Sequence, residues 1–205
     1  MSIVSDIEKL KKEKNAVILA HYYVDEDVQD IADYIGDSFY LSKVATKIDQ
    51  DRIIFAGVEF MGESAKILNP DKRVFMPDMN ADCPMAHMAD KDEILKLREE
   101  YDDLAVVCYI NSTAELKKYS DVCVTSSNAV KIVKNLPNKN IFFIPDRNLG
   151  HFVAKQCPDK NFIFNNGCCP RHVVITKEMV EKVKAEHPLA KFAAHPECTE
   201  DVLEL

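Results

Sequence analysis

The sequence has no apolar run approaching the roughly 18 residues of a membrane-spanning helix. Its opening segment, MSIVSDIEKLKKEKN, lacks the apolar centre of a secretory signal peptide and instead shows the pattern of an amphipathic helix. A basic excess is also missing, because the net charge is -8. Nucleic-acid phosphates and anionic membranes attract proteins with a positive field, so we expect neither partner. These absences predict a cytoplasmic protein.

Linkers rich in glycine or serine are absent, as are low-complexity tracts. The 205 residues are 47% hydrophobic and 29% charged, as in a soluble globular chain able to bury one or two cores. Short apolar runs alternate with helical patterns, which is typical of α/β units with parallel sheets. The predicted strands are 16–21, 52–57, 73–76, 104–109, 122–125, 140–145, 162–164 and 191–195. The predicted helices are 26–35, 41–48, 60–68, 90–101, 129–136, 149–156 and 177–187.

An internal repeat organises these elements. Segment 17–23 aligns with 105–111 at an offset of 88 residues, and the same offset aligns Pro-Asp-Lys at 70–72 with Pro-Asp-Lys at 158–160. The offset then becomes 86, which pairs Cys83 with Cys169 and Tyr109 with His195. The register predicts a first repeat at 1–101, a second at 102–188 and the start of a third at 189–205. We expect three-layer αβα units around a pseudo-threefold axis, with the third unit incomplete.

Polar side chains end the corresponding strands of the predicted repeats. Parallel α/β units bind ligands beyond the carboxyl ends of their strands, so three units would direct these side chains at one central cavity. Ser38 and Ser126 open helices in this register, and N-terminal positions of helices can hold a carboxylate or a phosphate. Helix capping alone also explains each serine. The strand-end residues are His21, Tyr23, Tyr109, Asn111, His195 and Glu197.

The seven cysteines lack the local CxxC pairs that structural zinc usually uses. Cys108 and Cys123 lie in apolar runs and are predicted core residues. Cys83 and Cys169 lie in loops at equivalent positions of the repeat, and a third cysteine is expected at about position 255. Three thiolates around one axis suit a [4Fe–4S] cluster with one open iron, which acts as a Lewis acid.

Four segments resemble the signature segments of the quinolinate synthase family: HYYVDEDVQDIADYIGDS, FAGVEFMGESAKILNPDK, YINSTAELKKYSDVCVTSSNAV and AAHPEC. The resemblance extends over nearly the whole chain. It implies three αβα domains and a transferase that condenses iminoaspartate with dihydroxyacetone phosphate, giving quinolinate, phosphate and water for NAD biosynthesis. It also implies a [4Fe–4S] cluster held by one cysteine per domain, and an enzyme that produces iminoaspartate is a possible partner.

The resemblance also assigns roles to residues. Cys83 and Cys169 become cluster ligands, with Cys169 preferred over Cys168 because a histidine, His172, follows three residues later. Tyr109, Glu197 and Tyr23 become the catalytic candidates. The substrate-binding candidates are His21, Ser38, Tyr109, Asn111, Ser126, His172, His195 and Glu197. Because the third domain and the third cysteine lie beyond Leu205, we expect this chain alone to be inactive.

Two other classes of function stay open on the sequence alone. The first is an inactive scaffold of the same fold that binds a metal or another ligand, and iron and sulfide content would distinguish it. The second is a protein that binds a carboxylate or a sugar phosphate without a metal. In that case, removal of Cys83 or Cys169 would leave ligand affinity unchanged.

Overall fold

Helix α1 (Ile3–Lys14) has the amphipathic pattern expected from the sequence, and Ser2 caps it by accepting a hydrogen bond from the backbone N–H of Ser5. Its last turn is basic, which complements the helix dipole. The chain then turns at Asn15, which has a left-handed backbone conformation, and enters the first sheet. The computed structural model describes residues 2–205.

The first sheet is parallel, with strand order β2-β1-β3-β4. Its central strand β1 is nearly continuously apolar and buried, as a strand covered on both faces must be. The core includes Leu19, Leu41, Ile53 and Phe55, all fully buried. The elements of this unit after α1 are β1 (Ala16–His21), α2 (Glu26–Asp30), β2 (Tyr34–Gly36), α3 (Ser38–Ala45), β3 (Arg52–Ala56), α4 (Glu59–Leu68) and β4 (Arg73–Phe75).

The second sheet is also parallel, and its order β6-β5-β7-β8 repeats that of the first. A short 3-10 helix (Pro84–His87) precedes it. Its core includes Ile94, Val106, Phe142 and Ile144, all fully buried. The remaining elements are α5 (Lys91–Glu100), β5 (Leu104–Tyr109), α6 (Ala114–Lys118), β6 (Val122–Val124), α7 (Ala129–Asn135), β7 (Asn140–Ile144), α8 (Arg147–Lys155), β8 (Asn161–Phe164), α9 (Lys177–Glu186) and α10 (Glu200–Leu203).

Packing divides the chain into two compact units, Met1–Cys83 and Pro84–Leu205. Helix α5 belongs to the second unit because Ile94 packs against Val106 and Phe142. The repeat boundaries after residues 101 and 188 rest on sequence register, a different criterion, and they stay predictions. The α/β class with repeated parallel units is confirmed. Among residues 2–205, no helix combines the length and apolar character needed to cross a bilayer.

Equivalent side chains stabilise the same positions of the two units. Asp33 accepts a hydrogen bond from the backbone N–H of Ile18 at 2.8 Å, and Asp121 accepts one from Val106 at 2.7 Å. The carboxylates thus hold the start of β2 and of β6 beside the central strand. This bond also explains one error in the predicted elements, because the predicted helix 26–35 ends early and β2 follows Asp33.

The lysines of the two Pro-Asp-Lys segments are structural. Lys72 donates hydrogen bonds to the backbone carbonyls of Ala45, the last residue of α3, and of Ile48, three residues further on. Lys160 donates to the carbonyls of Leu136 and Asn138 after α7. Each ammonium therefore binds backbone carbonyl groups at a helix end or just beyond it, where the helix supplies no N–H donor. This shared structural role of the lysine explains why Pro-Asp-Lys occurs in both units.

The predicted strand 191–195 is wrong, since these residues have no regular secondary structure. A strand needs a neighbouring strand to pair its backbone groups, and the strands of residues 2–205 all belong to the two sheets described above. The short helix that follows nevertheless begins in register with the repeat. Helices α2, α6 and α10 start at Glu26, Ala114 and Glu200, separated by the same offsets of 88 and 86 residues.

Candidate metal and substrate site in the second unit

The site of the second unit lies at the carboxyl ends of its strands. Strand β5 is buried along its whole length and ends at Tyr109, whose side chain is also buried. The backbone N–H of Ile110 donates to the carbonyl of Val124, so the chain beyond β5 still follows β6. This places the phenol of Tyr109 at the edge where parallel α/β sheets present their ligand-binding residues.

Asp146 connects the end of β7 to the loop that carries Cys169. It is fully buried, and its carboxylate accepts hydrogen bonds from the backbone N–H groups of Leu149 at 2.8 Å and Cys169 at 2.9 Å. The first bond caps α8, and the second holds the cysteine backbone. Gly167 pairs with Asp146 in an isolated parallel bridge. A Cβ atom on Gly167 would lie only 2.5 Å from the carbonyl oxygen of Pro145, so glycine permits this close approach.

Three potential metal ligands converge in this unit. The ligand atoms of Cys169, His172 and Glu197 all lie within 4.8 Å of one another. Nδ1 of His172 is 3.1 Å from Sγ of Cys169 and 2.7 Å from Oε2 of Glu197. The turn between the cysteine and the histidine is closed by backbone bonds from His172 and Val173 to the carbonyl of Cys169. Thiolate, imidazole and carboxylate are the groups that bind transition metals.

Glu197 is the buried centre of the site. It is 3% exposed, and its Oε1 atom is buried without a hydrogen-bond partner among the described residues. Its backbone is held by two contacts: Asn148 donates to its carbonyl at 3.0 Å, and its own N–H donates to Nδ1 of His195 at 3.3 Å. A buried carboxylate oxygen is costly when unpaired, so this atom is available to a cation or a ligand donor.

Burial shapes the ionisation of the surrounding groups. It raises the pKa of Tyr109 well above its ordinary value, and the negative charge of Glu197 adds to the effect. The same two causes raise the pKa of Cys169 to about 12. Burial raises the pKa of Asp146 to about 6 and lowers that of His195. In the metal-free site, the phenol and the thiol are therefore protonated at neutral pH, so a cation would have to displace the proton of Cys169.

His195 joins another element to this cluster. Its Nε2 is 3.3 Å from the hydroxyl of Ser126, and its ring stacks on that of His172 with centroids 4.9 Å apart. Ser126 does not open α7 as the sequence predicted, because Asn128 occupies the N-cap position. The hydroxyl of Ser126 therefore contacts His195 and does not cap the helix. Asn111, two residues after β5, is half-buried.

The other predicted residues belong to the first unit. His21 is buried, and its Nδ1 accepts a hydrogen bond from the backbone N–H of Tyr23 at 3.3 Å, as His195 does from Glu197. Burial also lowers the pKa of His21. The side chain of Tyr23, by contrast with the buried His21, is 86% exposed. Ser38 is the first residue of α3, and Asp37 caps that helix instead. Cys83 is half-buried at the end of the unit. Its approach to Cys169 stays a prediction.

Sequence reasoning missed Asp146 and Asn148. Their repeat equivalents are Val58 and Phe60, so a search for matching polar residues passes over them. A different signal was present, since Asp146 lies two residues after the buried strand β7, where ligand-binding residues of α/β units cluster. The prediction that Cys123 is a core residue is wrong: it is exposed, whereas Cys108 is fully buried as expected.

The fold and the cluster define a repeated α/β protein with a candidate metal centre at the strand ends. The family model described as "Quinolinate synthetase A protein" matches residues 5–205. A quinolinate synthase of Fusobacterium nucleatum is 61% identical over 199 residues, which are 97% of this chain and 67% of the relative. One of Clostridium perfringens is 52% identical over 205 residues, 100% of this chain and 68% of the relative. The chain belongs to the quinolinate synthase family.

Proposed function

We propose that this chain supplies two of the three walls of an active site that makes quinolinate for NAD biosynthesis. The reaction condenses iminoaspartate with dihydroxyacetone phosphate and releases phosphate and water. The observation that carries the proposal is the convergence of Cys169, His172 and Glu197 in a chain of this family. The matched relatives extend beyond it, because the chain spans about two thirds of their length.

The residues present fit an iron–sulfur cofactor. Cys169 offers a thiol at the strand ends, and the buried Oε1 atom of Glu197 lacks a hydrogen-bond partner among the described residues, so a positively charged neighbour would stabilise it. Cys83 and Cys169 would hold a [4Fe–4S] cluster together with a third cysteine outside residues 1–205. When bound, such a cluster with one open iron supplies a Lewis acid for a substrate oxygen. The carboxylate of Asp146 positions Cys169 for this role by accepting a hydrogen bond from the backbone N–H of Cys169.

Tyr109 and Glu197 have complementary proton-transfer roles in this proposal. Burial and the charge of Glu197 raise the pKa of Tyr109, so its phenol keeps its proton and can donate it. Glu197 is an acceptor beside His172, with Oε2 at 2.7 Å from Nδ1. Carbon–carbon condensation, imine formation and dehydration all require protons to be removed and returned, which such a pair can do. Tyr23 is the third catalytic candidate, from the first unit.

Polar groups around this pair would bind the substrates. The hydroxyl of Ser126 and Nε2 of His195 lie 3.3 Å apart and can hold a carboxylate or phosphate oxygen, and the ring of His172 stacks on that of His195. Asn111 and His172 complete the substrate-binding candidates of this unit. His21 and Ser38 are the matching candidates of the first unit. Iminoaspartate hydrolyses readily in water, so an enzyme that produces it is the partner we expect.

A chimaera tests the proposal directly. Residues 1–205 would be joined to the remaining third of the Fusobacterium nucleatum relative and reconstituted anaerobically with iron and sulfide. We expect quinolinate formation by the chimaera and none by residues 1–205 alone. Without the third domain, the proposed cavity lacks its third wall and the cluster lacks its third cysteine ligand. An inactive chimaera that binds its cluster would contradict the proposed reaction, and turnover by residues 1–205 alone would contradict the three-walled site.

A simpler metal-binding function is the second candidate, favoured by the presence of all three donors in one unit. Cys169, His172 and Glu197 could bind a single divalent ion without help from Cys83. Metal and sulfide analysis after reconstitution separates the two candidates. Sulfide in a ratio of about one to iron indicates a cluster, whereas one metal ion without sulfide indicates the simpler site.

A further inference from the structure

Cys108 and Cys123 are direct partners on adjacent parallel strands. The register of β5 and β6 pairs the Cα atoms of the two residues. Neighbouring strands lie about 4.8 Å apart, and the Cα atoms of disulfides are usually about 4.4–6.8 Å apart. Paired residues of a parallel ladder also direct their side chains to the same face of the sheet. The backbone therefore brings the two sulfur atoms within reach of a bond.

The two thiols differ in access and acidity. Cys108 is fully buried in the core beside Leu116 and Phe142, whereas Cys123 is exposed on β6, the edge strand of the sheet. The adjacent thiol of Cys108 and the nearby ammonium of Lys117 lower the pKa of Cys123. The adjacent Cys123 and burial raise the pKa of Cys108. The thiol of Cys123 is thus suited to react with solutes, and the buried thiol of Cys108 lies next to it.

We propose that Cys108 and Cys123 form a reversible dithiol–disulfide site that is oxidised by peroxides and reduced by small dithiols. The thiolate of Cys123 attacks a peroxide oxygen, so that an S–O bond forms, the O–O bond breaks and water leaves after protonation. The thiol of Cys108 then attacks the sulfenic sulfur, and an S–S bond replaces the S–O bond. Hydroxide leaves with the proton of Cys108 as a second water. Two thiols thereby supply the two electrons that one peroxide accepts.

The disulfide of this pair is expected to be easily reduced. Side chains of paired strand residues are nearly parallel, so their Cβ atoms are about as far apart as the strands, whereas disulfides prefer about 3.8 Å. The disulfide would draw β6 closer to β5 near the candidate site, because Tyr109 follows Cys108 and Ser126 lies three residues after Cys123. Strained and accessible disulfides are the labile ones.

Peptide mapping of the reduced, metal-free 205-residue protein tests the proposal. After brief treatment with hydrogen peroxide and alkylation of the remaining thiols, trypsin places Cys108 in peptide 99–117 and Cys123 in peptide 119–131. We expect these peptides to be linked, with a mass about 2 Da below the sum of the two reduced peptides. Dithiothreitol should restore both thiols.

Three variants make the test specific. Cys123→Ser, at an exposed position, should abolish the link and leave Cys108 reduced. Cys108→Ala should let a sulfenic acid accumulate at Cys123, which dimedone traps. Cys157→Ser, a buried cysteine after α8, is the matched control and should leave the link unchanged. If peroxide oxidises Cys168 or Cys169 while the two peptides stay separate, or if dithiothreitol fails to reverse the link, the proposal is wrong.

Discussion

Asp146 gives the site its clearest quantitative prediction. The carboxyl group is fully buried, and its pKa rises from 3.8 to about 6 on folding because burial disfavours the charge. Between these values the folded protein binds a proton that the unfolded chain does not. The stability contributed by this group is therefore present at low pH and lost as pH rises through about 6. One pKa unit corresponds to 1.36 kcal/mol, so the difference is about 3 kcal/mol.

Substitution of Asp146 by asparagine isolates this effect. The amide oxygen can accept from only one of the two N–H groups that Asp146 now satisfies, Leu149 and Cys169. The loss costs about 1–3 kcal/mol. At pH 7 the variant also avoids burying a charge, so the two effects offset each other. We expect a small difference in unfolding free energy at pH 7, growing in favour of the unsubstituted protein by about 2–3 kcal/mol at pH 4.

Urea unfolding of the metal-free protein, followed by circular dichroism between pH 4 and 7, measures this difference. Hydrogen exchange at the amides of β5 and β7 reports the second unit specifically. Asp37→Asn is the matched control, because Asp37 caps α3 in the same way on an exposed surface. A difference for Asp146→Asn that stays constant with pH would refute the buried-carboxylate reasoning. An equal slope for Asp37→Asn would attribute the effect to capping rather than to burial.

Three further predictions concern the site itself. In the chimaera described above, Glu197→Gln should abolish quinolinate formation while iron and sulfide content stay unchanged, and undiminished turnover would remove Glu197 from proton transfer. Cys169→Ser should lose most of the bound iron, whereas Cys168→Ser, its neighbour, should retain it; the reverse result would reassign the ligand. Gly167→Ala should lower the unfolding free energy of the second unit by roughly 2 kcal/mol or more, because the added carbon would meet the Pro145 carbonyl at 2.5 Å. An unchanged thermal midpoint would contradict that close approach.

The repeat made most of the fold predictable from the sequence. Strands β1 and β5 begin and end where the apolar runs do, because buried parallel strands require continuous apolar residues. Strand β2 was not predicted, because Tyr34–Gly36 is too short to show a strand pattern. Its place beside β1 depends instead on a polar side chain, that of Asp33. The sequence equivalent of β2 at 122–124 does show that pattern, so the register could have revealed it.

The site was less predictable because its geometry depends on residues distant in sequence. Glu197 meets His172 at 2.7 Å and has its carbonyl bound by Asn148, although these residues lie 25 and 49 positions before it. The local sequence around Ser126 suggested a helix cap, and only the fold shows that its hydroxyl faces His195 instead. Residue type and strand-end position indicated which side chains have chemistry, but not which of them touch.

The two units share the bonds that fold them and differ in the groups that do chemistry. Asp33 and Asp121 make the same bond, as do Lys72 and Lys160, because both sheets need the same edges and helix ends satisfied. By contrast, the cap of the helix after the third strand is Asp146 in the second unit, and Val58 makes no side-chain cap in the first. Both cysteine loops are bound by the backbone N–H of the following residue, Glu59 or Arg147, and in the second unit the side chain of Asp146 adds a bond to the backbone of Cys169. Repetition preserves the scaffold, and the differences between equivalent positions indicate where function has been added.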